Sequence, residues 1–252
     1  MNTPKWIVYN DLAWTERIVA LPEDYTEEAE LYVRLLRERA AAEPKTLLHL
    51  GCGAGGHDFT FKRHFRVTGV DISEGMLEVA RETNPEIRYI HGDMRSVVLD
   101  ERFDAVVIPD SIGYMTTEED LRTAVRTAAS HLKPGGALLI TVNMKEEFRD
   151  NNFVYTGSKG NIEIVVFENN YVPASNPATY EATIVTLIRR SGVLETYAEC
   201  HTLGLFPTET WLRVLQEAGF ETTETRLDDL YAPFIQGDGA YPLRVFVGVK
   251  RT

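Results

Sequence analysis

Between residues 24 and 143 the apolar positions switch repeatedly between helical spacing and short continuous runs, which predicts helices alternating with buried strands. Asp24 and Glu27 form a capping pair ahead of Ala29, Tyr32, Val33, Leu36 and Ala40, and Pro44 stops this lead-in helix. Residues 46–50 read as a strand that runs into Gly51-Cys52-Gly53-Ala54-Gly55-Gly56 and then a short helix reaching about Phe65. Residues 67–70 form a second strand ending at Asp71, after which Ser73 caps a helix that turns Met76, Leu77 and Ala80 towards the sheet. Residues 87–91 make a third strand before the turn at Gly92-Asp93. Residues 103–108 make a fourth, nearly all apolar and so of the kind buried on both faces. Thr117 caps a helix bearing Leu121, Val125, Ala128 and Leu132, and Lys133-Pro134-Gly135-Gly136 ends it before a fifth strand at 137–142.

Past Asn143 the period changes: 162–167, 180–188 and 196–205 are β-rich and separated by turn residues, which predicts antiparallel strands. A helix returns at Thr208 with Trp211, Leu212, Leu215 and Ala218, and strands at 221–227 and 243–249 close the sheet. The expected fold is α/β: a Rossmann-like, doubly wound, open sheet with a small antiparallel cap. It divides into an N-terminal segment and lead-in helix at 1–45, a core at 46–145 and 206–252, and a cap at 146–205.

Composition narrows the partners. The 252 residues carry a net charge of −12, with no basic block to offset it, so nucleic acid is not expected as a partner. Apolar runs such as Ala137-Leu138-Leu139-Ile140 fall far short of the ~18 residues that span a bilayer. The start, Met1-Asn2-Thr3-Pro4-Lys5-Trp6, lacks the basic and apolar regions of a signal peptide. Cys52 and Cys200 form neither a metal nor a redox spacing, and the expected compartment is cytoplasmic. The six histidines show no metal-ligand spacing, so no metal is expected, and His49 and His91 read as satisfied strand residues.

In an open α/β sheet ligands bind at the carboxyl ends of the strands, which selects three loops. Glycines at 51–56 let the backbone approach a ligand, and the helix that follows offers N–H groups to an anion. Asp71 can accept both hydroxyls of a ribose; Asp93 can accept an adenine amino group while Met94 packs on the ring. One bound adenosine explains all three. Gly51, Gly53 and Gly56 also satisfy G-x-G-x-x-G, so an NAD(P)-dependent oxidoreductase is an alternative, as is a non-catalytic cofactor-binding protein.

Leu48-His49-Leu50-Gly51-Cys52-Gly53-Ala54-Gly55, Val70-Asp71-Ile72-Ser73, Gly92-Asp93-Met94-Arg95 and His131-Leu132-Lys133-Pro134-Gly135-Gly136 resemble successive motifs of the class I S-adenosylmethionine-dependent methyltransferases. The ending, 243–250, resembles that family's antiparallel last strand, which implies a mixed, mostly parallel seven-stranded sheet. The resemblance implies S-adenosylmethionine as cofactor. It places the methionine part on Gly51, Cys52, Gly53 and Gly55, the ribose on Asp71 with Ile72, and the adenine on Gly92, Asp93 and Met94; Met76, Tyr9 and Tyr25 complete the set. The 1–45 segment would then fold over the cofactor, where Arg17 could meet the methionine carboxylate, and 146–205 would roof the acceptor.

Ser111-Ile112-Gly113-Tyr114, Thr202-Leu203-Gly204-Leu205-Phe206 and Phe246-Val247-Gly248-Val249 further resemble bacterial sugar-amine N-methyltransferases. The aromatic segment those enzymes carry after the fifth strand is replaced here by Asn143-Met144-Lys145-Glu146-Glu147-Phe148. The acceptor is therefore nitrogen or oxygen of a small molecule, with an amino sugar as one candidate, and the sequence sets no oligomeric state. Positioning can supply about 7–11 kcal/mol of such a transfer, so no catalytic triad is expected. Tyr114 is the residue expected to orient the acceptor or to accept its proton through a partner. Asn151, Asn152, Tyr155, Tyr171 and His201 are the polar candidates of the cap.

Overall fold

A computed structural model of the chain describes residues 6–228 and 230–251. Residues 6–25 form a strap of short turns around helix α1 (Glu16–Val19), followed by α2 (Thr26–Arg39). The core then alternates β1 (Thr46–Leu50), α3 (Asp58–Phe61), β2 (Arg66–Asp71), α4 (Glu74–Thr83), β3 (Arg88–His91), β4 (Phe103–Pro109), α5 (Glu118–Ser130) and β5 (Leu132–Asn143). Four strands follow, β6 (Asn151–Lys159), β7 (Ile162–Tyr171), β8 (Thr179–Arg190) and β9 (Val193–Gly204). The chain ends with α6 (Thr208–Glu217), β10 (Phe220–Leu227) and β11 (Leu243–Lys250).

The main sheet has seven strands in the order β10-β11-β5-β4-β1-β2-β3. All neighbours from β5 to β3 are parallel, and β11 runs antiparallel to both β5 and β10. The expected mixed sheet with an antiparallel last strand is the observed one. Successive residues of β4 serve opposite faces, as a strand requires. Val106 and Ile108 pack with Leu48, Leu138, Ile140 and the α5 and α6 side chains Val125, Trp211 and Leu215. Ala105 and Val107 pack with Leu47, Leu139 and the α2 and α4 side chains Tyr32, Leu36, Leu77 and Ala80. The strand order reverses between β4 and β1, where both neighbours' carboxyl ends diverge and leave room for a ligand.

Several local expectations are corrected. Asp24 does not cap the lead-in helix: it lies inside a 3-10 turn, Pro22–Tyr25, and its carboxylate accepts the Leu21 N–H at 2.9 Å, while α2 starts without a side-chain cap. The helix after the glycine loop stops at Phe61 rather than near Phe65. Met76 faces the strap with Ala13 and Val79, leaving Leu77 and Ala80 to the sheet. Ser73 and Thr117 do cap their helices, accepting from the N–H groups of Met76 and Asp120.

The second sheet is a four-stranded meander, β6-β7-β8-β9, one strand more than the pattern predicts. The missed β6 pairs with β7 through a turn at Gly160, whose φ of +63° suits glycine. Its strand formers Phe153, Val154, Tyr155 and Thr156 were the available signal.

The strap is wedged between the two sheets. Ala13 packs on Met76 and Val79 of α4, while Leu12 packs on Ile164 and Ile188 of the meander. Two glycines admit its backbone. A Cβ at Gly75 would lie 2.6 Å from the Asn10 carbonyl oxygen, and one at Gly157 would lie 2.0 Å from that of Ile18. Gly157→Ala should therefore lower stability by about 1–3 kcal/mol through overpacking and expose the strap to limited proteolysis. Gly219→Ala, whose added methyl meets nothing within 4 Å, is the control. It carries only the cost of a left-handed φ and should leave the strap protected.

Candidate functional site

Three strand tips converge beside the glycine loop. The N–H groups of Gly51 and Cys52 both donate to the Val70 carbonyl, at 2.7 and 3.1 Å. The Gly53 N–H donates to Asp71 Oδ2 at 2.8 Å and the Ser73 N–H to Asp71 Oδ1 at 2.8 Å. Gly51, Gly53 and Gly55 all have positive φ, which lets the loop double back onto β2. Burial pushes the Asp71 carboxyl above its ordinary range, against the opposing pull of these two N–H groups. The loop thus spends several of its donors on its own strand and acid instead of presenting them to an anion.

The Gly92 N–H donates to the Asp71 carbonyl at 2.9 Å, and His91 Nε2 lies 2.9 Å from the Ile72 carbonyl oxygen, so the β2 and β3 tips are tied together. Burial raises the Asp93 carboxyl, but the Arg95 guanidinium outweighs it and holds the group below its ordinary value. Arg95 Nη1 also reaches Asp120 on α5 at 3.0 Å. A Cβ on Gly51 would lie 2.1 Å from Ser111 Oγ and 3.0 Å from Met94 Cε, so glycine at 51 lets the tips of β1, β3 and β4 meet.

Between this loop and the strap lies a cavity of about 430 Å³. Gly51, Cys52, Gly53, Met76, Tyr9 and Tyr25 line it together, with Glu16, Arg17, His49, His57 and Pro109. Asp71 adjoins it through Gly53. Ile72, Gly92, Asp93 and Met94 lie beyond its lining, at the β2 and β3 tips. Gly55 turns away: its carbonyl accepts from Asn84 at 3.0 Å, and a Cβ there would meet Tyr89 Oη at 2.7 Å. Arg17, which the resemblance offered for the methionine carboxylate, does reach the cavity. It pairs with Glu82, yet its Nε is buried without a hydrogen-bond partner, an orphaned donor beside the cavity. Burial pushes the Glu16 carboxyl up to about 7. His49 is a paired core group, 2.7 Å from Asp58, which also accepts from Tyr89 at 3.0 Å.

Behind Tyr9, outside the cavity lining, three segments meet. Tyr114 sits in the 3-10 turn Ser111–Tyr114 after β4. Its hydroxyl is 2.7 Å from that of Tyr9 on the strap and 2.7 Å from Nδ1 of His201 on β9. His201 is fully buried, and its Nε2 lies 3.0 Å from Glu199, within ion-pair range but off the line of a good hydrogen bond. Trp6 covers the pair, with ring centroids 4.7 Å from both Tyr114 and His201. Burial lowers the His201 pKa despite the opposing pull of Glu199, which favours the neutral ring. The remaining cap candidates act differently. Asn151 and Asn152 tie β6 to β7 through Asn170 and Asn169, Tyr155 lies against Phe153 and Phe234, and Tyr171 is exposed on the rim.

Asp110, the residue after β4, was missed by the sequence reading. It has a positive φ of 54°, a conformation that costs a non-glycine residue energy and marks a site held by its surroundings. Its side chain keeps accessible surface while lying within electrostatic range of Glu168 on β7 and Tyr241. Burial, then the charges of Glu168 and Glu28, push its carboxyl up to about 7. Burial raises the Glu168 carboxyl of β7 as well, and the tyrosines Tyr180 and Tyr241 feel the charges of both acids. The signal was available: an acid directly beyond a nearly all-apolar strand stands at the ligand-binding edge.

A methyltransferase-domain family model matches residues 47–136. The dTDP-3-amino-3,4,6-trideoxy-alpha-D-glucopyranose N,N-dimethyltransferase of Streptomyces venezuelae is 40% identical over 120 residues, covering 47% of this chain and 50% of that one. The dTDP-4-amino-2,3,4,6-tetradeoxy-D-glucose N,N-dimethyltransferase of Saccharopolyspora spinosa is 29% identical over 198 residues, covering 78% and 79%. The chain thus aligns with half the length of the first relative and about four-fifths of the second. The solved structure of the sugar N-methyltransferase KedS8 from a Streptoalloteichus species superposes with a TM-score of 0.79 at 26% identity, covering 100% of this chain and 99% of that one. The strand order and the whole-chain superposition give the chain the fold of the class I S-adenosylmethionine-dependent methyltransferases, and residues 47–136 match their methyltransferase domain.

Proposed function

We propose that the chain methylates the nitrogen of an amino sugar or a similar small, hydroxylated amine. One observation carries this reading: the cavity over the glycine loop reaches Tyr9 and Pro109, and next to them Asp110, Tyr114, Glu168, Tyr180 and Tyr241 stand within electrostatic range of one another, where they would frame an acceptor recess under the meander. A cofactor space therefore adjoins a space suited to an amine with hydroxyl groups.

S-adenosylmethionine, when bound, supplies a methyl group on a positively charged sulfur. Asp71 would hold the ribose hydroxyls, Asp93 and Met94 the adenine, and the orphaned Arg17 Nε the methionine carboxylate, with Tyr9 and Tyr25 closing over it. The fit is chemical: a buried guanidinium donor for a carboxylate, and a cavity acid, Glu16, for a cation. On the acceptor side, Asp110 and Glu168 would hold the amine, while Tyr180 and Tyr241 would take its hydroxyls. The meander, 146–205, excludes water from this exchange. These acids disfavour a diphosphate inside the recess, so a nucleotide-linked acceptor would have to leave its phosphates outside, near Lys145 and Arg149. The two free cysteines, Cys52 buried and Cys200 exposed, suit the reducing cytoplasm. Among the described residues no helix is long and apolar enough to cross a membrane.

Incubation with labelled cofactor, a free amino sugar and a nucleotide-linked amino sugar tests the reading. Transfer to nitrogen is expected with at least one; transfer only to hydroxyl acceptors would overturn it. Asp71→Ala should weaken S-adenosylhomocysteine about 10- to 150-fold by calorimetry, from loss of hydrogen bonds to a charged acceptor worth about 1.5–3 kcal/mol. It should also loosen the Gly53 turn.

Glu16 gives a pH signature. Its folded value, about 7, stands above its unfolded one, so from roughly pH 4.5 to 7 the folded state holds a proton that the unfolded state has lost. Stability from this group is highest below that window, falls as pH rises through it and stays lowered above. Glu16→Gln should therefore be the more stable protein at pH 8 in thermal unfolding. Binding of the cationic cofactor, relative to its neutral-sulfur product, should strengthen from pH 6 to 8 in the wild type and stay flat in Glu16→Gln.

A further inference from the structure

We propose that Tyr9, Tyr114 and His201, backed by Glu199, form a proton wire that drains the methylated nitrogen and is assembled only when the N-terminal strap closes. The inference rests on the amine reading above and extends it to His201 and Glu199, which no motif assigns. Three segments far apart in sequence supply one continuous row of contacts. Tyr9 lines the cofactor cavity, its hydroxyl is 2.7 Å from that of Tyr114, and Tyr114 is 2.7 Å from His201 Nδ1. Glu199 stands behind the ring at 3.0 Å from Nε2.

Glu199 also accepts the backbone N–H groups of Ile7 and Val8, at 2.8 and 2.9 Å. One carboxylate therefore holds both the strap and the histidine. If the strap lifts, Tyr9 leaves the row and Glu199 loses two donors together. Trp6, two residues from Val8, seals the Tyr114 and His201 rings from solvent in the closed form.

Proton bookkeeping follows the donors. Methylation leaves the acceptor nitrogen as an ammonium. Its N–H bond breaks, the proton passes to the Tyr9 oxygen, the Tyr9 proton passes to the Tyr114 oxygen, and the Tyr114 proton passes to Nδ1 of His201. The two tyrosines end as neutral phenols, and His201 ends as an imidazolium beside the Glu199 carboxylate. A neutral His201 at rest, with hydrogen on Nε2, is the form that can receive this proton, and burial favours it. Burial also keeps both phenols protonated, so they relay and do not store charge. The titratable groups facing the row are Glu199 on β9, Tyr180 on β8, Glu168 on β7, Asp110 on the β4 turn and Glu16 on the strap. With His201 buried, release of the proton to water waits for the strap to open.

His201 and Glu199 act through Tyr9 and are positioning residues; the test must separate relay from packing. His201→Asn keeps an acceptor near the Nδ1 position but cannot take a proton. Its kcat with the amino acceptor should fall about 100-fold, in the range of lost acid–base assistance, while KM and S-adenosylhomocysteine affinity stay within about twofold. The acid limb of the wild-type kcat profile should vanish. Tyr114→Phe, which breaks the row without touching His201, should give the same loss. Wild-type kcat in both variants, or losses matched by equal losses of cofactor-product affinity, would overturn the wire.

A second readout needs no turnover. In 15N-histidine-labelled, ligand-free protein, His201 should show the Nε2–H tautomer at pH 7, and Tyr114→Phe should shift its Nδ1 resonance. A charged ring, or an Nδ1–H tautomer, would overturn the wire. Absence of any amine methylation by the wild type would overturn the functional reading instead, leaving the spectra to judge the wire on its own.

Discussion

The whole site hangs on one tie between neighbouring strand tips, the Gly53 N–H to the Asp71 carboxylate. A charge-assisted hydrogen bond of this kind is about twice as strong as a neutral one, and here it fixes the direction of a loop that three positive-φ glycines would otherwise leave free. With the loop folded onto β2, Gly51 sits close enough to Ser111 and Met94 for no larger side chain to fit. The tips of β1 to β4 thus become one rigid rim, and the cavity above it is shaped by the backbone. The same tie leaves Asp71 half-buried with an acceptor on each oxygen already in use, which orients the carboxylate before any ligand arrives.

Against this rigid rim stands a movable wall. The strap contributes Tyr9, Glu16, Arg17 and Tyr25 to the cavity and is held by contacts of quite different strength. Apolar packing on α4 and the meander gives it adhesion, two glycines give it clearance, and Glu199 gives it a polar latch. Beyond it stand Asp110 on the β4 turn and Glu168 on β7, carboxyls that burial raises.

What was legible in the sequence was whatever depends on local chemistry. The period-2 and period-3.6 patterns placed the five parallel strands and the helices α2 to α5 among them, and the family resemblance supplied the antiparallel closing strand. Ser73 and Thr117 were recognisable caps because a hydroxyl ahead of an apolar stripe has few other uses. Gly51, Gly53 and Asp71 followed from the strand-end rule, and Tyr114 from its loop after the fourth strand. What stayed hidden depends on tertiary neighbours. Asp24 looked like a helix cap, but the intervening turn at Pro22 redirected it to Leu21. Gly55 looked like part of the ligand loop, but the space it lacks a side chain for belongs to Asn84 and Tyr89. His201 could be named as polar but not ranked, because its meaning lies in two tyrosines 87 and 192 positions away in the chain. Arg17 and Asp110 became informative only once burial was known.

The meander leaves the core and returns to it at nearly the same point. The Lys145 N–H donates to the Phe206 carbonyl at 3.2 Å, and Glu146 accepts the Thr208 N–H at 3.0 Å, so the two stems of the insertion are stitched to each other. An insert mounted on such a collar can be lengthened, shortened or exchanged without disturbing the order in which β5 and α6 meet. Substrate range could therefore drift by grafting alone, with the nucleoside half inherited unchanged.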